Sequence, residues 1–273
     1  MKIRDAINAG VSALGGFKGS RLNCEILLAH ILGKSREYVF AHNSDDVTEK
    51  EFAGFLELVL ENHGGRPIAY LISKKEFYGL DFYVDERVLI PRPETELLLD
   101  IAVSCLPDHG RVLDIGTGSG AIAISLVKKL PDISAVASDI SSDALSVARI
   151  NAGKHGVLDR IEFVQSDLLK DISGSFDVIC ANLPYIGSGD FVDENVRKLE
   201  PDKALFPGED GLGLYKKLFQ QLERGSVDFR YLIGEFGFGQ VDGISGLLNK
   251  YFVQKWRIEK DLQMIPRVFI VGV

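Results

Sequence analysis

A short apolar strand leads into a glycine-rich loop at Arg111-Val112-Leu113-Asp114-Ile115-Gly116-Thr117-Gly118-Ser119-Gly120-Ala121. Glycine adopts backbone angles that other residues avoid, and without a side chain it lets a ligand approach the main chain closely. Asp139 ends the next predicted strand about 20 residues further on, where a carboxylate can bind ribose hydroxyls. This order of strand, loop, helix and distant acid predicts a nucleotide-type cofactor site on an α/β sheet.

Strands and helices alternate from this loop to the end of the chain. The predicted strands are 111–115, 133–138, 161–165, 176–181 and 231–235, followed by an antiparallel pair at 253–258 and 268–271. Helical patterns cover 121–130, 142–155 and a segment that ends near residue 250. Short apolar strands between helices indicate a mostly parallel sheet covered on both faces. We therefore expect an α/β, Rossmann-like domain of seven strands, whose ligands bind beyond the carboxyl ends of the strands.

The beginning of the chain has a different pattern. Apolar residues recur three and four positions apart, as from Ile3 to Leu14, which is typical of amphipathic helices. Thr48 is followed three residues later by Glu51, which predicts a capping box at the start of a helix. These features indicate a small helical bundle.

Three regions are therefore expected. Residues 1–75 form the helical domain, and residues 76–90 form a β-hairpin linker rich in aromatic residues. Residues 91–273 form the catalytic domain, which opens on a helix that begins at Pro93.

The composition limits the classes of partner. The chain has 273 residues, of which 46 % are hydrophobic, and a formal net charge of −8. Proteins that hold nucleic acid through its phosphates usually have a basic face, so we expect no stable nucleic-acid binding. No apolar run approaches the ~18 residues that cross a bilayer, and no signal-peptide pattern follows Met1. The three cysteines are far apart and lack metal-ligand spacing, so we expect a cytoplasmic protein without a metal site.

The glycine loop by itself fits two cofactors. Gly116, Gly118 and Ala121 match the looser dinucleotide pattern G-x-G-x-x-G/A, and the same loop matches the G-x-G-x-G pattern of S-adenosyl-L-methionine enzymes. Asp114 favours S-adenosyl-L-methionine, because a carboxylate before the loop can accept from its amino-acid part but would face a pyrophosphate unfavourably. The candidate cofactor-binding residues are Asp114, Gly116, Thr117, Gly118, Ser119, Gly120, Asp139, Asp167, Leu168 and Asn182.

Two of these candidates follow the strand 161–165. Asp167 is placed to meet an adenine amino group, and Leu168 beside it could pack on the adenine face. Asp167 could equally be the N-cap of a helix, a position in which aspartate is common.

The segment Asn182-Leu183-Pro184-Tyr185 follows the strand 176–181 at its carboxyl end. An amide or aromatic amine nitrogen is a poor nucleophile, because its lone pair is delocalised. The side-chain oxygen of Asn182 and the carbonyl of Leu183 can accept its two N–H bonds and aim its lone pair at a methyl group. Pro184 fixes the backbone, and Tyr185 offers a flat face to a planar group. Asn182, Pro184 and Tyr185 are the predicted catalytic residues of a methyl transfer that needs no metal.

Several segments together resemble the PrmC/HemK family of peptide-chain release factor glutamine methyltransferases. They cover nearly the whole chain and are Arg66 to Leu71, Glu76 to Leu80, Ile90 to Glu96, Asp114 to Ala121, Asn182 to Tyr185, Glu200 to Leu205 and Gly208 to Leu212. The resemblance implies a protein-(glutamine-N5) methyltransferase that uses S-adenosyl-L-methionine and acts on the Gly-Gly-Gln motif of release factors. It also implies cofactor binding by Gly116 to Gly120, Asp139, Leu168 and Asn182.

The resemblance further implies that residues Asn182, Leu183, Pro184 and Tyr185 hold the substrate glutamine. It also implies that the helical domain at 1–75 docks the substrate, and that Arg92 and Glu94 help to position the release factor. The family usually has Asn-Pro-Pro-Tyr, so Leu183 here replaces the first proline and predicts a less rigid loop. The main-chain carbonyl of Leu183 is retained, so it can still accept the hydrogen bond from the substrate.

Three alternatives remain at this level. Asn-Leu-Pro-Tyr also resembles the motif of adenine dimethyltransferases that act on ribosomal RNA. The glycine loop alone would fit a nicotinamide-dependent oxidoreductase, although no Tyr-x-x-x-Lys signature accompanies it. The third alternative is a degenerate binding module, which holds the cofactor but catalyses no reaction.

Overall fold

The structure is a computed structural model that describes residues 1–16, 19–185, 211–253 and 255–272. It divides into two compact units, Met1–Lys74 and Lys75–Val273. Within the described residues, no helix has both the length and the apolar character needed to span a membrane.

The first unit is helical. Its helices are α1 (Ile3–Ala13), α2 (Ser20–Leu32), α3 (Arg36–Ala41), α4 (Glu49–His63) and α5 (Ile68–Leu71). The capping box predicted at α4 is present, because the Thr48 hydroxyl accepts from Glu51 N–H while the Glu51 carboxylate accepts from Thr48 N–H. Leu28, Phe55 and Val59 are among the fully buried side chains of its core.

The second unit begins with an antiparallel hairpin of β1 (Lys75–Phe77) and β2 (Leu80–Phe82). A seven-stranded sheet follows, with the order β5-β4-β3-β6-β7-β9-β8. Its strands are β3 (Arg111–Ile115), β4 (Ser134–Asp139), β5 (Ile161–Gln165), β6 (Gly174–Ala181), β7 (Val227–Glu235), β8 (Trp256–Lys260) and β9 (Pro266–Gly272). The strands β3 to β7 pair in parallel, whereas β9 is antiparallel to both of its neighbours, β7 and β8. The expected fold class and the closing strand pair are therefore confirmed.

Helices cover the sheet, as the apolar character of the strands requires. They are α6 (Glu96–Cys105), α7 (Ala121–Lys129), α8 (Ser142–Lys154), α9 (Gly213–Glu223) and α10 (Val241–Tyr251). A 3-10 turn at Pro93–Thr95 precedes α6, so the segment that begins at Pro93 starts as a tighter helix than expected. The helix α9 was not predicted from the sequence; it packs Tyr215, Leu218 and Phe219 into the core.

The strand register brings the predicted site together. The chain leaves β3 toward β4 on one side and returns to β6 on the other, which makes the β3–β6 boundary a topological switch point where ligands bind in such folds. Ile115 is paired with Ala181, and Ala181 with Gly234. The next residues, Gly116, Asn182 and Glu235, therefore lie side by side at the carboxyl edge of the sheet.

Candidate active site

The glycine loop uses left-handed backbone angles that favour glycine. The φ angles of Gly116, Gly118 and Gly120 are 71°, 56° and 83°. A Cβ on Gly120 would lie 2.7 Å from the Ile124 Cδ1 atom, so a side chain there would clash with α7. At Gly118 no described atom lies within 4 Å of that position, which leaves open space above the loop.

Asp114 lies at the end of β3 and is fully buried. Its Oδ2 atom accepts from the Thr117 hydroxyl at 2.6 Å and from the Ala123 N–H at 3.2 Å. Its Oδ1 atom has no hydrogen-bond partner among the described residues. Burial raises the pKa of Asp114 to about 7. An unpartnered buried acceptor of this kind suits a ligand that brings a hydrogen-bond donor or a positive charge.

Asp139 at the end of β4 holds the loop from the neighbouring strand. One carboxylate oxygen accepts from Gly118 N–H at 3.0 Å and the other from Ser141 N–H at 2.9 Å. Burial raises its pKa, and these backbone donors oppose the rise. The predicted ribose-binding carboxylate therefore also fixes the backbone of the glycine loop.

Asn151 supports the loop from α8. It is fully buried, and its side-chain Nδ2 donates to the carbonyls of Ser119 and Tyr83, each at 2.9 Å. Its Oδ1 accepts from the Tyr83 N–H at 2.7 Å. One side chain thus joins the glycine loop to the segment that follows the hairpin.

Asn182 is held by two acceptors. Its side-chain Nδ2 donates to the Thr95 hydroxyl oxygen at 2.9 Å and to Glu235 Oε2 at 3.0 Å. Both N–H bonds of the carboxamide are thereby used, so its Oδ1 is the atom left to accept from a substrate.

Glu235 is 1 % exposed at the carboxyl end of β7. Burial raises the pKa of its carboxyl group to about 7, while hydrogen bonds from Thr95 and Tyr185 and the charge of Arg267 oppose the rise. A carboxyl group with this pKa beside a catalytic candidate is typical of functional sites.

Leu183 and Tyr185, the second and fourth residues of the motif, are each held by contacts with neighbouring residues. Leu183 is 3 % exposed, and its side chain packs against Gly116. The Tyr185 hydroxyl donates to Glu235 Oε1 at 3.3 Å, and the main-chain carbonyl of Tyr185 accepts from Gln240 Nε2 at 2.6 Å. Burial raises the pKa of Tyr185 above its usual range, which keeps the hydroxyl protonated. Pro184 between them is partly exposed.

The predicted docking residues lie within electrostatic reach of this group. The positive charge of Arg92 lowers the pKa of Tyr185, and the negative charge of Glu94 raises that of Glu235. Glu94 is exposed and Arg92 is partly exposed. Both are therefore accessible at the same edge of the sheet.

Asp167 and Leu168 follow β5 at the far end of this edge. The Asp167 carboxylate pairs with Lys217 of α9 at 2.5 Å. Leu168 is 7 % exposed, has a φ of 58° and belongs to the apolar core. Residues 168–171 form turns, so the alternative of a helix N-cap at Asp167 is wrong.

Thr95, Asn151 and Glu235 received no predicted role from the sequence. Thr95 directly follows Glu94, which was a predicted site residue, and Glu235 ends a predicted strand, which is the position where acids in such folds meet ligands. Asn151 gave no signal beyond a polar residue inside a helix. The motif residues Glu200 to Leu205 and Gly208 to Asp210 lie outside the described residues.

Comparison with solved structures defines the fold of the chain. The catalytic domain of hMettl16 in complex with the MAT2A 3′UTR hairpin 6 superimposes with a TM-score of 0.58 at 16 % identity, over 84 % of each chain. The human methyltransferase 10 domain containing protein has a TM-score of 0.50 at 17 % identity, over 71 % of this chain and 89 % of that one. The chain has the Rossmann-like fold of a methyltransferase.

Sequence relatives define the class more narrowly. The family model "Methyltransferase small domain" matches residues 94–199, and "PrmC N-terminal domain" matches residues 5–72. The chain is 36 % identical to the release factor glutamine methyltransferase of Koribacter versatilis, over 92 % of this chain and 90 % of that protein. It is 44 % identical to the protein of the same name from Chlorobaculum tepidum, over 68 % of each. It belongs to the PrmC/HemK family of release factor glutamine methyltransferases.

Proposed function

We propose that this protein transfers a methyl group from S-adenosyl-L-methionine to the side-chain amide nitrogen of the glutamine in the Gly-Gly-Gln motif of peptide-chain release factors. The observation that carries the proposal is the Asn182 carboxamide, whose Nδ2 is held by Thr95 and Glu235 at the switch point of the sheet. Its Oδ1 is thereby left as an acceptor for a substrate N–H. The names of the relatives supply the substrate class.

The described residues fit the cofactor. The unpartnered Oδ1 of Asp114 suits the ammonium of its amino-acid part, and the open space at Gly118 admits a ligand against the backbone. Asp139 is the acceptor proposed for the ribose hydroxyls. Asp167 and Leu168 remain the proposed adenine contacts, and Thr117, Ser119 and Gly120 contribute through the loop. When bound, S-adenosyl-L-methionine supplies an electrophilic methyl group and leaves as a neutral thioether.

The chain's own residues make the amide nitrogen reactive. Asn182 Oδ1 and the Leu183 carbonyl accept its two N–H bonds, which favours a pyramidal nitrogen whose lone pair points away from both acceptors. Orientation of this kind does not require a strong base, since the methylated nitrogen loses its proton readily afterwards. Tyr185 provides the flat face against which the planar amide lies, and it remains a neutral phenol at neutral pH.

The leucine in the motif is compatible with this role. Its side chain is buried against Gly116, so packing restrains the segment where most family members have a proline ring. Pro184 still fixes the backbone on the other side of the Leu183 carbonyl.

Docking of the protein substrate is assigned to two parts of the chain. Arg92 and Glu94 are accessible beside the catalytic group and can pair with charges on the release factor. The helical domain at 1–75 is also proposed to bind the release factor, which its match to the PrmC N-terminal domain supports. Hydrogen exchange of the full chain should then show protection of its helices when a release factor is added.

The direct test is methyl transfer with purified components. The protein is incubated with labelled S-adenosyl-L-methionine and a bacterial release factor, or with the same factor carrying alanine in place of the Gly-Gly-Gln glutamine. We expect label in the first factor only, on the glutamine amide when the peptide is examined by mass spectrometry. A parallel reaction contains purified ribosomal RNA in place of the factor. Label in that RNA, with none in either factor, would instead establish the adenine methyltransferase alternative.

A further inference from the structure

Glu235 and Asn182 occupy equivalent positions at the ends of adjacent strands. Ala181 and Gly234 are paired in the β6–β7 register, so the next residue on each strand reaches the same edge. The distance from Asn182 Nδ2 to Glu235 Oε2 is 3.0 Å. Thr95, at the start of the helical segment that precedes β3, completes a triangle around the carboxamide.

The orientation of a carboxamide is decided by its partners. Its oxygen and its NH₂ group have almost the same shape, so a rotation of half a turn exchanges them without a steric cost. A hydroxyl such as that of Thr95 can donate or accept and therefore suits either orientation. An ionised carboxylate can only accept, and it admits only the orientation with Nδ2 toward it.

We propose that the ionised carboxylate of Glu235 is a positioning residue, which selects the orientation of the Asn182 carboxamide that presents Oδ1 to the substrate amide. The identity of that substrate rests on the proposed function, whereas the orientation itself is a property of the free protein. Glu235 touches neither reactant in this scheme and acts through Asn182.

Burial and the neighbouring charges bring the pKa of the Glu235 carboxyl group close to neutral pH. Arg267 from β9 favours the ionised form, while Glu94 from the 3-10 turn opposes it. Tyr185, after β6, donates to the carboxylate, and Tyr215 from α9 lies within electrostatic reach. Burial is the largest influence and raises the pKa to about 7. The fraction of carboxylate therefore changes over the neutral pH range.

Protonation should disable the site without unfolding it. Once it carries a proton, Glu235 can donate to the carboxamide oxygen, and an Asn182 that turns to accept this bond presents NH₂ to the substrate. Two N–H groups then face each other, and the substrate nitrogen loses an acceptor. We therefore expect kcat to rise with pH through about 7 and then to level off.

Three variants separate this role from a structural one. Glu235→Gln has the same size but no charge and tolerates both orientations of Asn182, so kcat should fall about tenfold or more and its rise with pH should disappear. Glu235→Asp retains the charge and should recover part of kcat together with the pH dependence. Glu223→Gln, which removes an exposed glutamate at the end of α9, should behave like the wild type. Loss of kcat with an unchanged pH profile in Glu235→Gln would overturn the proposal.

A substrate-free measurement makes the two proposals separable. In the full-length protein, the side-chain NH₂ signals of Asn182 are assigned by their absence in Asn182→Ala and followed by NMR between about pH 5.5 and 8.5. They should shift with the same midpoint as the Glu235 carboxyl carbon, and they should not titrate in Glu235→Gln. Titration of Asn182 in the absence of any methyl transfer to release factors would reject the proposed function and leave the positioning role. An Asn182 signal indifferent to Glu235 would reject the positioning role even in an active enzyme.

Discussion

The side-chain Nδ2 of Asn151 donates a 2.9 Å hydrogen bond to the carbonyl of Ser119, in the middle of the glycine loop. The same NH₂ group reaches the carbonyl of Tyr83, and Oδ1 of the same residue accepts from the Tyr83 N–H. The Asn151 side chain, which makes all three bonds, is fully buried. The shape of the proposed cofactor loop therefore depends on a residue of α8 that lies 32 positions after Ser119 in the sequence.

Replacement of Asn151 should destabilise the fold and loosen the loop together. Asn151→Ala leaves the Tyr83 N–H and two carbonyls without their partner in a buried place, which should cost about 2–4 kcal/mol of the free energy of unfolding. Urea denaturation measures this loss, and calorimetry should show weaker binding of S-adenosyl-L-methionine. The matched control is Asn249→Ala, which removes an exposed asparagine bonded to Trp256 and should change stability by less than about 0.5 kcal/mol. Equal stabilities of the two variants would contradict the assigned role.

Removal of the Asn182 side chain should affect the chemical step. Asn182→Ala deletes the acceptor that orients the substrate nitrogen, so kcat for methylation of a release factor should fall about 100-fold or more. Cofactor affinity should weaken far less than kcat, because the loop contacts of Asp139 and Asn151 remain. Single-turnover assays with saturating cofactor measure the step directly, with Asn249→Ala as the control. Undiminished turnover would show that the nitrogen is oriented by other groups.

The buried carboxyl of Asp114 predicts an opposite effect of pH on stability and on cofactor binding. Its pKa is about 7 in the folded chain and near 3.8 when unfolded, so between these values the folded state binds more protons. Stability should therefore decrease as the pH rises from about 4 to 7. A ligand that brings an ammonium group favours the ionised form, so the Kd for S-adenosyl-L-methionine should become smaller as the pH rises through 7.

Proton release on binding measures this linkage. Titration calorimetry in two buffers of different ionisation enthalpy should show protons released near pH 7 by the wild type and fewer by Asp114→Asn. Glu235→Gln separates the contribution of the second carboxyl group that titrates in this range. Proton release that is the same in Asp114→Asn and the wild type would mean that this carboxyl does not meet the cofactor's charge.

The unusual leucine of the catalytic motif should be needed for packing. Leu183→Ala opens a cavity beside Gly116 and should lower the free energy of unfolding by about 2–5 kcal/mol, as for other buried leucines. Leu183→Met retains the volume and should cost less than about 1.5 kcal/mol. Thermal or urea unfolding compares the two. If alanine is tolerated as well as methionine, the loop is held by Pro184 and Tyr185 alone.

Local patterns were sufficient to predict the fold, and they also identified candidate residues for the site. The run from Arg111 to Ala121 correctly predicted β3 and the loop that follows it. A short apolar strand followed by closely spaced glycines is typical of a strand, a tight loop and a helix in that order. The segment Asn182 to Tyr185 was identified as a motif because the chemistry of a weakly nucleophilic nitrogen requires those groups close together in sequence. Its predicted roles, like those of Asp139 and Asp167, await the measurements above.

What holds these residues in place became clear only from the tertiary structure. Thr95, Asn182 and Glu235 are separated by 87 and 53 positions along the chain. They meet because the register of β6 against β7, and the entry into α6, bring three distant backbone segments to one edge of the sheet. Burial then raises the pKa of Glu235 to about 7. A sequence specifies strands and turns through neighbours a few positions apart, whereas desolvation and the direction of a hydrogen bond depend on groups that become neighbours only after folding.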